Sequence, residues 1–358
     1  MMIVSARRQM GSSTPVLRAV AAATAIALVG CADNAGWDTV DAPAAEGVDL
    51  WIAQSRGEEI WAMGLEGTLV HYDGATWSRP EAELTSWPVI VAAPDSFWSN
   101  RLAEDQHFEL LHSTDLVNWT WIDLAAETGL PITSSEILFA EGDSVWVRAL
   151  TESSTFLLHT RGGDWSDLTP PQLADLGPVG VGGCRRADDD LWITASWRTF
   201  DDFTTSRSAH LEGATWTEAD LPAGSHVLSC RPGELVAGSQ DDLSLAPGWR
   251  VYRQDGAAWT EVEFAEEWRA VFDVAPAGAA GELWLLGWSQ DLETRLAIPR
   301  IWRLDGQRAR DTLGGDLGVE ILEPRLNGVG ALHAIATTDN GTTFAFGEDG
   351  LILEYLGH

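Results

Sequence analysis

This chain contains no lysine. All 22 of its cationic side chains are arginine, they stand against 54 acidic residues, and the net charge is −32. Without lysine neither a Schiff base nor a phosphate-cradling P-loop can be built. A surface this acidic repels phosphate backbones, which excludes nucleic acid as a partner. Cysteine is scarce, with three in 358 residues, and so is tyrosine, also with three. No Gly-x-Ser-x-Gly elbow marks a nucleophilic serine. The segment His107-Phe-Glu109-Leu-Leu-His112 lacks the i, i+4 histidine pair of a zinc-protease helix. Ala19 to Gly30 is the chain's leading apolar run, and it is too short to span a bilayer as a mature helix.

Tryptophan, by contrast, is abundant. Nineteen are present, far above average usage, which points to a repeated unit. Trp61 to Trp77 shows that unit most clearly. An apolar strand opens at Trp61, Gly64 to Gly67 turn the chain, Thr68 to Tyr72 form the next strand, and an Asp73-Gly74 turn leads to a strand carrying Trp77. Alternating side chains with glycine at each reversal are the pattern of two consecutive hairpins. Equivalent openers are Trp98, Trp146, Trp192, Leu235, Trp284 and Phe344. The third-strand position of His71 recurs as His112, His159, His210, Arg253, Arg303 and Glu354, and the closing Trp77 as Trp119, Trp165, Trp216 and Trp259. The seventh copy lacks a closing strand, and Gly36 to Val40 reads as a closing strand with nothing before it. Pairing it beside Leu351 to Tyr355 would close a ring without an open edge. Units of about 45 residues with four short strands each predict a β-propeller. The fold expected is all-β: seven four-stranded antiparallel blades closed by the N-terminal strand, with six or eight blades left open by the uneven copies.

Tyr72-Asp73 ahead of Trp77 resembles the kelch repeat, and Ser113-Thr-Asp115 ahead of Trp119 resembles the Asp box (BNR repeat). Over Gly36 to His358 the chain is similar to bacterial β-propeller lipoproteins of these types. The resemblance implies fold and export rather than an activity. At the N-terminus, Arg7, Arg8 and Arg18 precede the apolar run, which ends in Leu28-Val29-Gly30-Cys31. This resembles the bacterial lipobox, and it implies that residues 1–30 are a signal peptide and that Cys31 becomes the acylated N-terminus. Stable anchoring takes two or more acyl chains. Residues 31–35 would then be a short tether and 36–358 a single propeller domain. Ala32 after Cys31 directs the expectation to the outer membrane of a Gram-negative cell, facing either side. Past residue 30, nineteen arginines face all 54 acids, a net charge of −35.

Cys184 and Cys230 occupy matching places, each on the strand before a repeat opener. An exported chain can keep a disulfide between them; two small buried thiols are the alternative. The histidines His71, His112, His159 and His210 invite a metal reading. Their repeat places them roughly 14 Å apart around a ring of strands, too far for ligands that must sit about 2 Å from one ion. No metal site is assigned.

Loop length carries the functional expectation. From opener to third-strand marker the first and last copies take 10 residues, the second 14, the third 13, and the fourth to sixth 18, 18 and 19. Three consecutive blades thus extend the same connection on one face, and loops on a rigid scaffold carry sites. The extensions contain Trp197, Phe200, Asp201 and Asp202, then Asp241 and Asp242, then Trp288, Asp291 and Glu293. Aromatic planes beside carboxylates suit a protein partner or stacked sugar rings; clustered aspartates also suit Ca²⁺, otherwise no cofactor is implied. The acid run Asp188 to Asp190 falls on the opposite face, as a solvated turn. The function expected is a lipid-anchored, exported, non-catalytic protein-binding or scaffold module of the cell envelope. Glycan or cell-wall polymer binding through the loop tryptophans is the alternative, and a carboxylate-dependent hydrolase or lyase the second one; no catalytic residue is assigned.

Overall fold

The computed structural model describes residues 36–357, apart from 65–66, 82–88, 94, 103–107, 178, 188, 198–204, 232–233, 241–248, 257, 266–268, 278–280, 291–296 and 314–331. The segments expected to be signal peptide and tether, with Cys31, lie outside the described residues.

The chain opens with β1 (Trp37–Thr39). Blade one follows as β2 (Leu50–Arg56), β3 (Glu59–Gly64), β4 (Leu69–Tyr72) and β5 (Trp77–Ser78). Blade two is β6 (Val89–Ala93), β7 (Ser96–Leu102), β8 (Phe108–Ser113) and β9 (Trp119–Ile122); a short helix, α1 (Leu124–Thr128), leads out of it. Blade three is β10 (Ser134–Glu141), β11 (Ser144–Leu150), β12 (Thr155–Arg161) and β13 (Asp164–Asp167). Blade four is β14 (Gly180–Ala187), β15 (Asp190–Trp197), β16 (Thr205–Glu212) and β17 (Thr215–Glu218). Blade five is β18 (Ser225–Arg231), β19 (Glu234–Gln240), β20 (Trp249–Asp255) and β21 (Ala258–Glu261). Blade six is β22 (Arg269–Pro276), β23 (Glu282–Gln290), β24 (Ala297–Asp305) and β25 (Arg308–Asp311). Blade seven takes β26 (Leu332–Thr337), β27 (Thr343–Gly347) and β28 (Ile352–Tyr355), and borrows β1 as its outer strand.

The seven sheets are four-stranded and antiparallel, as the repeat predicted. Ring closure also follows the expected pairing, with Trp37 opposite Tyr355 and Thr39 opposite Leu353. Each opener faces its third-strand marker directly, as Trp61 faces His71 and Trp192 faces His210, with one exception. In blade five Arg253 pairs with Val236, not Leu235. Leu235 packs toward blade four beside Trp192, and Val236 toward blade six. The blade-five opener is therefore Val236, because a one-residue shift on a strand moves a side chain to the other face. With that register Glu234 takes the place, two residues before the opener, of Glu59, Asp190 and Glu282.

A feature that the repeat pattern did not announce is a β-bulge in every pairing of first with second strand, for example between Ile137 and Phe139 and between Val271 and Asp273. Each bulge adds twist to the innermost strands. The buried apolar residues form seven separate clusters, each between two neighbouring blades. The core is thus a ring of slabs rather than one centre.

The turns repeat as well. In the β8–β9 turn, Ser113 Oγ accepts from the backbone N–H of Leu116 at 3.0 Å, and Asp115 Oδ1 from those of Val117 and Asn118 at 2.9 and 2.7 Å. These donors hold the Asp115 carboxyl down at about 2, because they favour the charged form. Leu116 adopts φ 63°, and its carbonyl receives the Trp119 indole N–H at 3.0 Å.

Candidate functional site

Connections from second to third strands, together with those between blades, define one face, here the upper. First-to-second and third-to-fourth turns define the lower. The lower rim carries the repeated histidines, each beside its opener: His71 stacks on Trp61 at 3.9 Å between centroids, His159 on Trp146 at 4.3 Å and His210 on Trp192 at 4.0 Å. His112 lies against Trp98 at 4.4 Å. Each ring nitrogen meets the residue two before the opener: Ser96 at 3.2 Å, Ser144 at 2.9 Å, Asp190 at 2.9 Å and Glu59 at 3.3 Å. In blade six Arg303 replaces histidine, lies over Trp284 at 5.7 Å and bonds Glu282 at 3.1 Å. Asp190 is accordingly not the solvated turn expected of the acid run: it is a half-buried strand residue committed to His210, because the short turn starts β15 at Asp190 itself. Among the described residues no group of three or more His, Cys, Asp or Glu comes together to hold a metal.

On the upper face the described ends of the extensions are strand. Pairing in blade four continues to Trp197 opposite Thr205, and in blade six to Gln290 opposite Ala297. Backbone that would be bare in a long loop is paired instead, which satisfies its N–H and C=O groups. Trp288 therefore sits within a ladder, between Ala270 and Pro299, and is half-buried. Trp197 ends β15. Phe200, Asp201, Asp202, Asp241, Asp242, Asp291 and Glu293 lie outside the described residues.

These hairpins are braced at their bases. Arg207 donates to Gln172 O at 3.2 Å and to Asp175 at 3.0 Å, and Ser206 Oγ donates to Ser225 O in blade five at 3.3 Å. Arg300 donates to Ser289 Oγ at 2.8 Å and pairs with Asp311 on the outer strand.

The central channel is lined by first strands and encloses a cavity of about 450 Å³. Cys184 lies on it, joined by a disulfide to Cys230 of the next blade, with Cα atoms 5.7 Å apart. Gly183 precedes Cys184 because β14 and β15 approach so closely that a Cβ there would meet Trp192 O at 2.0 Å. Arg56 donates to Ala140 O at 2.7 Å, and Arg185 pairs with Glu141 at 2.7 Å. Asp273, which sequence reasoning missed, lines the channel from the blade-six bulge. Its carboxyl accepts from Val274 N–H and Ile335 N–H, both at 2.8 Å, and ties blade six to blade seven. Burial pushes it up to about 7, against the pull of those two donors. The signal available in the sequence was a lone acid inside the apolar run Ala270 to Ala275. With both oxygens committed to backbone, Asp273 serves the joint between blades.

No protein-family profile matches this chain, and no curated protein sequence matches it. Solved structures do match. The β-propeller domain of the Trilobed protease from Pyrococcus furiosus, described as having an open velcro topology, superposes with a TM-score of 0.55 at 9% identity, over 87% of this chain and 97% of that one. A structure from an analysis of two prolyl endopeptidases gives a TM-score of 0.51 at 11% identity, over 84% of this chain and 47% of that one. At such identities the likeness shows the fold alone. This chain is a seven-bladed β-propeller. Its own ring is closed by the β1–β28 pairing.

Proposed function

We propose that this propeller is an exported, lipid-anchored binding module of the bacterial cell envelope, without catalytic activity of its own. It presents the upper-face hairpins of blades four to six to a protein partner. The observation that carries the reading is the lengthening of second and third strands in blades four and six, β15–β16 and β23–β24, on bases held by Arg207 and Arg300. Paired, braced strands lower the entropic cost of recognition. The acidic tips favour a basic or neutral partner. Anchoring rests on the lipobox resemblance at Cys31, and placement in an outer membrane on Ala32.

The test is capture from detergent-solubilised envelope with the full chain, beside a variant carrying Trp197, Asp201, Asp202 and Trp288 changed to Ala. One specific protein retained by the native chain, lost in the variant and weakened by salt, is the expected outcome. Equal capture by both chains would remove the hairpin assignment. Retention on purified wall polymer with no protein captured would turn the reading to glycan recognition through Trp197 and Trp288.

A further inference from the structure

A second cavity lies on the lower rim, between blades two and three, away from the hairpins and independent of their role. Its volume is about 580 Å³, within the range of small-molecule sites. Trp98, Ile122 and Trp165 give it apolar walls. Trp98 is held rigidly, 7% exposed within the slab between the two blades, and Trp165 and Ile122 are half-buried. The glycine turn at Gly162-Gly163 borders the opening, with φ of 71° and 110°. A Cβ at Gly163 would meet nothing within 4 Å, so the backbone leaves the mouth wide.

Three exposed carboxylates line this apolar space, each from a different element. Asp95 comes from the β6–β7 turn, Asp143 from the β10–β11 turn, and Glu127 from α1. Among the described residues no arginine lines the cavity. Arg161, 66% exposed, stands 3.8 Å from Asp143. His112, which also lines the cavity, adds no charge at neutral pH, since burial lowers its pKa and its ring nitrogen meets Ser96. The site therefore has aromatic surfaces and a net negative rim in a chain that has no lysine to neutralise it. A cation over an indole face is attracted by the ring quadrupole, and a carboxylate rim adds attraction that salt screens.

We propose that this cavity binds an organic cation, an ammonium or guanidinium head on an apolar body, over Trp165 with Asp95, Glu127 and Asp143 around the charge. Such a head comes either as a free small molecule or as the side chain of a basic peptide. A neutral sugar would use the indole surfaces without needing three acids. An anion would be repelled.

The experiment is calorimetric titration of the full chain in detergent with tetraethylammonium, with arginine amide and with the pentapeptide Ala-Ala-Arg-Ala-Ala. 3,3-Dimethyl-1-butanol serves as the uncharged control. Binding of at least one cation about tenfold tighter than the alcohol is expected. Trp165→Leu keeps apolar volume but removes the ring, and should weaken cation binding by about three- to tenfold. The surface pair Asp95→Asn and Asp143→Asn should weaken it several-fold and flatten its salt dependence. Tightest binding by tetraethylammonium identifies a free cation as the source, and tightest binding by the pentapeptide a basic chain. Equal affinity for alcohol and cations, no binding by any probe, or cation binding untouched in both variants with unchanged circular dichroism would each overturn the proposal.

Discussion

Two seams of the ring are held together in different ways. Between blades seven and one, twelve buried residues form the slab, among them Leu50, Ile60, Phe344 and Phe346, and Trp77 and Tyr72 add edge contacts to Phe344 at 5.3 and 5.1 Å. Between blades four and five, the described residues supply four: Trp192, Val227, Cys230 and Leu235. That seam, thin among the described residues, is the one crossed by the Cys184–Cys230 disulfide. Apolar burial contributes in proportion to area, so the thick seam stands by packing, whereas the thin one gains a constraint on the unfolded chain. The closing blade has a weakness of its own. Its velcro ladder is three residues long and sets Asp38 opposite Glu354, a like-charge pair that opposes closure. Trp37 offsets this. It is 2% exposed, packs on Trp284 and Tyr355 at 5.3 Å each, and donates to Thr312 at 3.1 Å.

The comparison can be broken at either seam. The largest effect is expected from Trp37→Ala, which removes the anchor of β1 and should cost about 3–5 kcal/mol in urea denaturation. A loss near zero would mean that the ring does not depend on this strand. Next comes Cys184→Ser with Cys230→Ser. The bond spans a sequence separation of 46, and the chain-entropy account puts its contribution at about 4 kcal/mol, with about 2–4 typical of measured cases. Reductant should lower the native chain to the level of the double variant and leave the variant unmoved.

A pH-dependent effect, rather than a fixed one, is expected from Asp273, the joint beside the closing blade. Its folded pKa, about 7, lies above the ordinary aspartate value of 3.8. The folded state therefore binds the proton more tightly, and this stability is full below about pH 4 and lost as pH rises through 7. Denaturation midpoints of the native chain should fall across that window, and Asp273→Asn should remove that part of the slope. An unchanged slope in the variant would assign the pH dependence to the net charge of the surface.

Much of this was legible in the residues because a repeat reports itself many times. Seven openers, their third-strand partners and the orphan strand at Trp37 point to a ring whichever copy is read. Leu235 misled because two apolar neighbours, Leu235 and Val236, are equally good openers, and only the pairing with Arg253 chooses between them. Opener-to-marker spacing located the extended blades but could not tell loop from ladder, since both take the same number of residues. The bulges were not legible either: an extra residue in an inner strand has no composition of its own.

The sequence alone determined the repeated four-stranded unit, the order of the strands and the closing partner of β1, since these follow from alternation, turn residues and the place where a copy is incomplete. Tertiary structure decided which matching positions actually meet. Cys184 and Cys230 come within bonding distance, Asp190 turns inward to His210, Asp273 reaches the backbone of blade seven, and three acids from three elements surround one aromatic cavity. Such contacts depend on the tilt and twist of neighbouring blades. Local spacing along the chain does not encode those quantities.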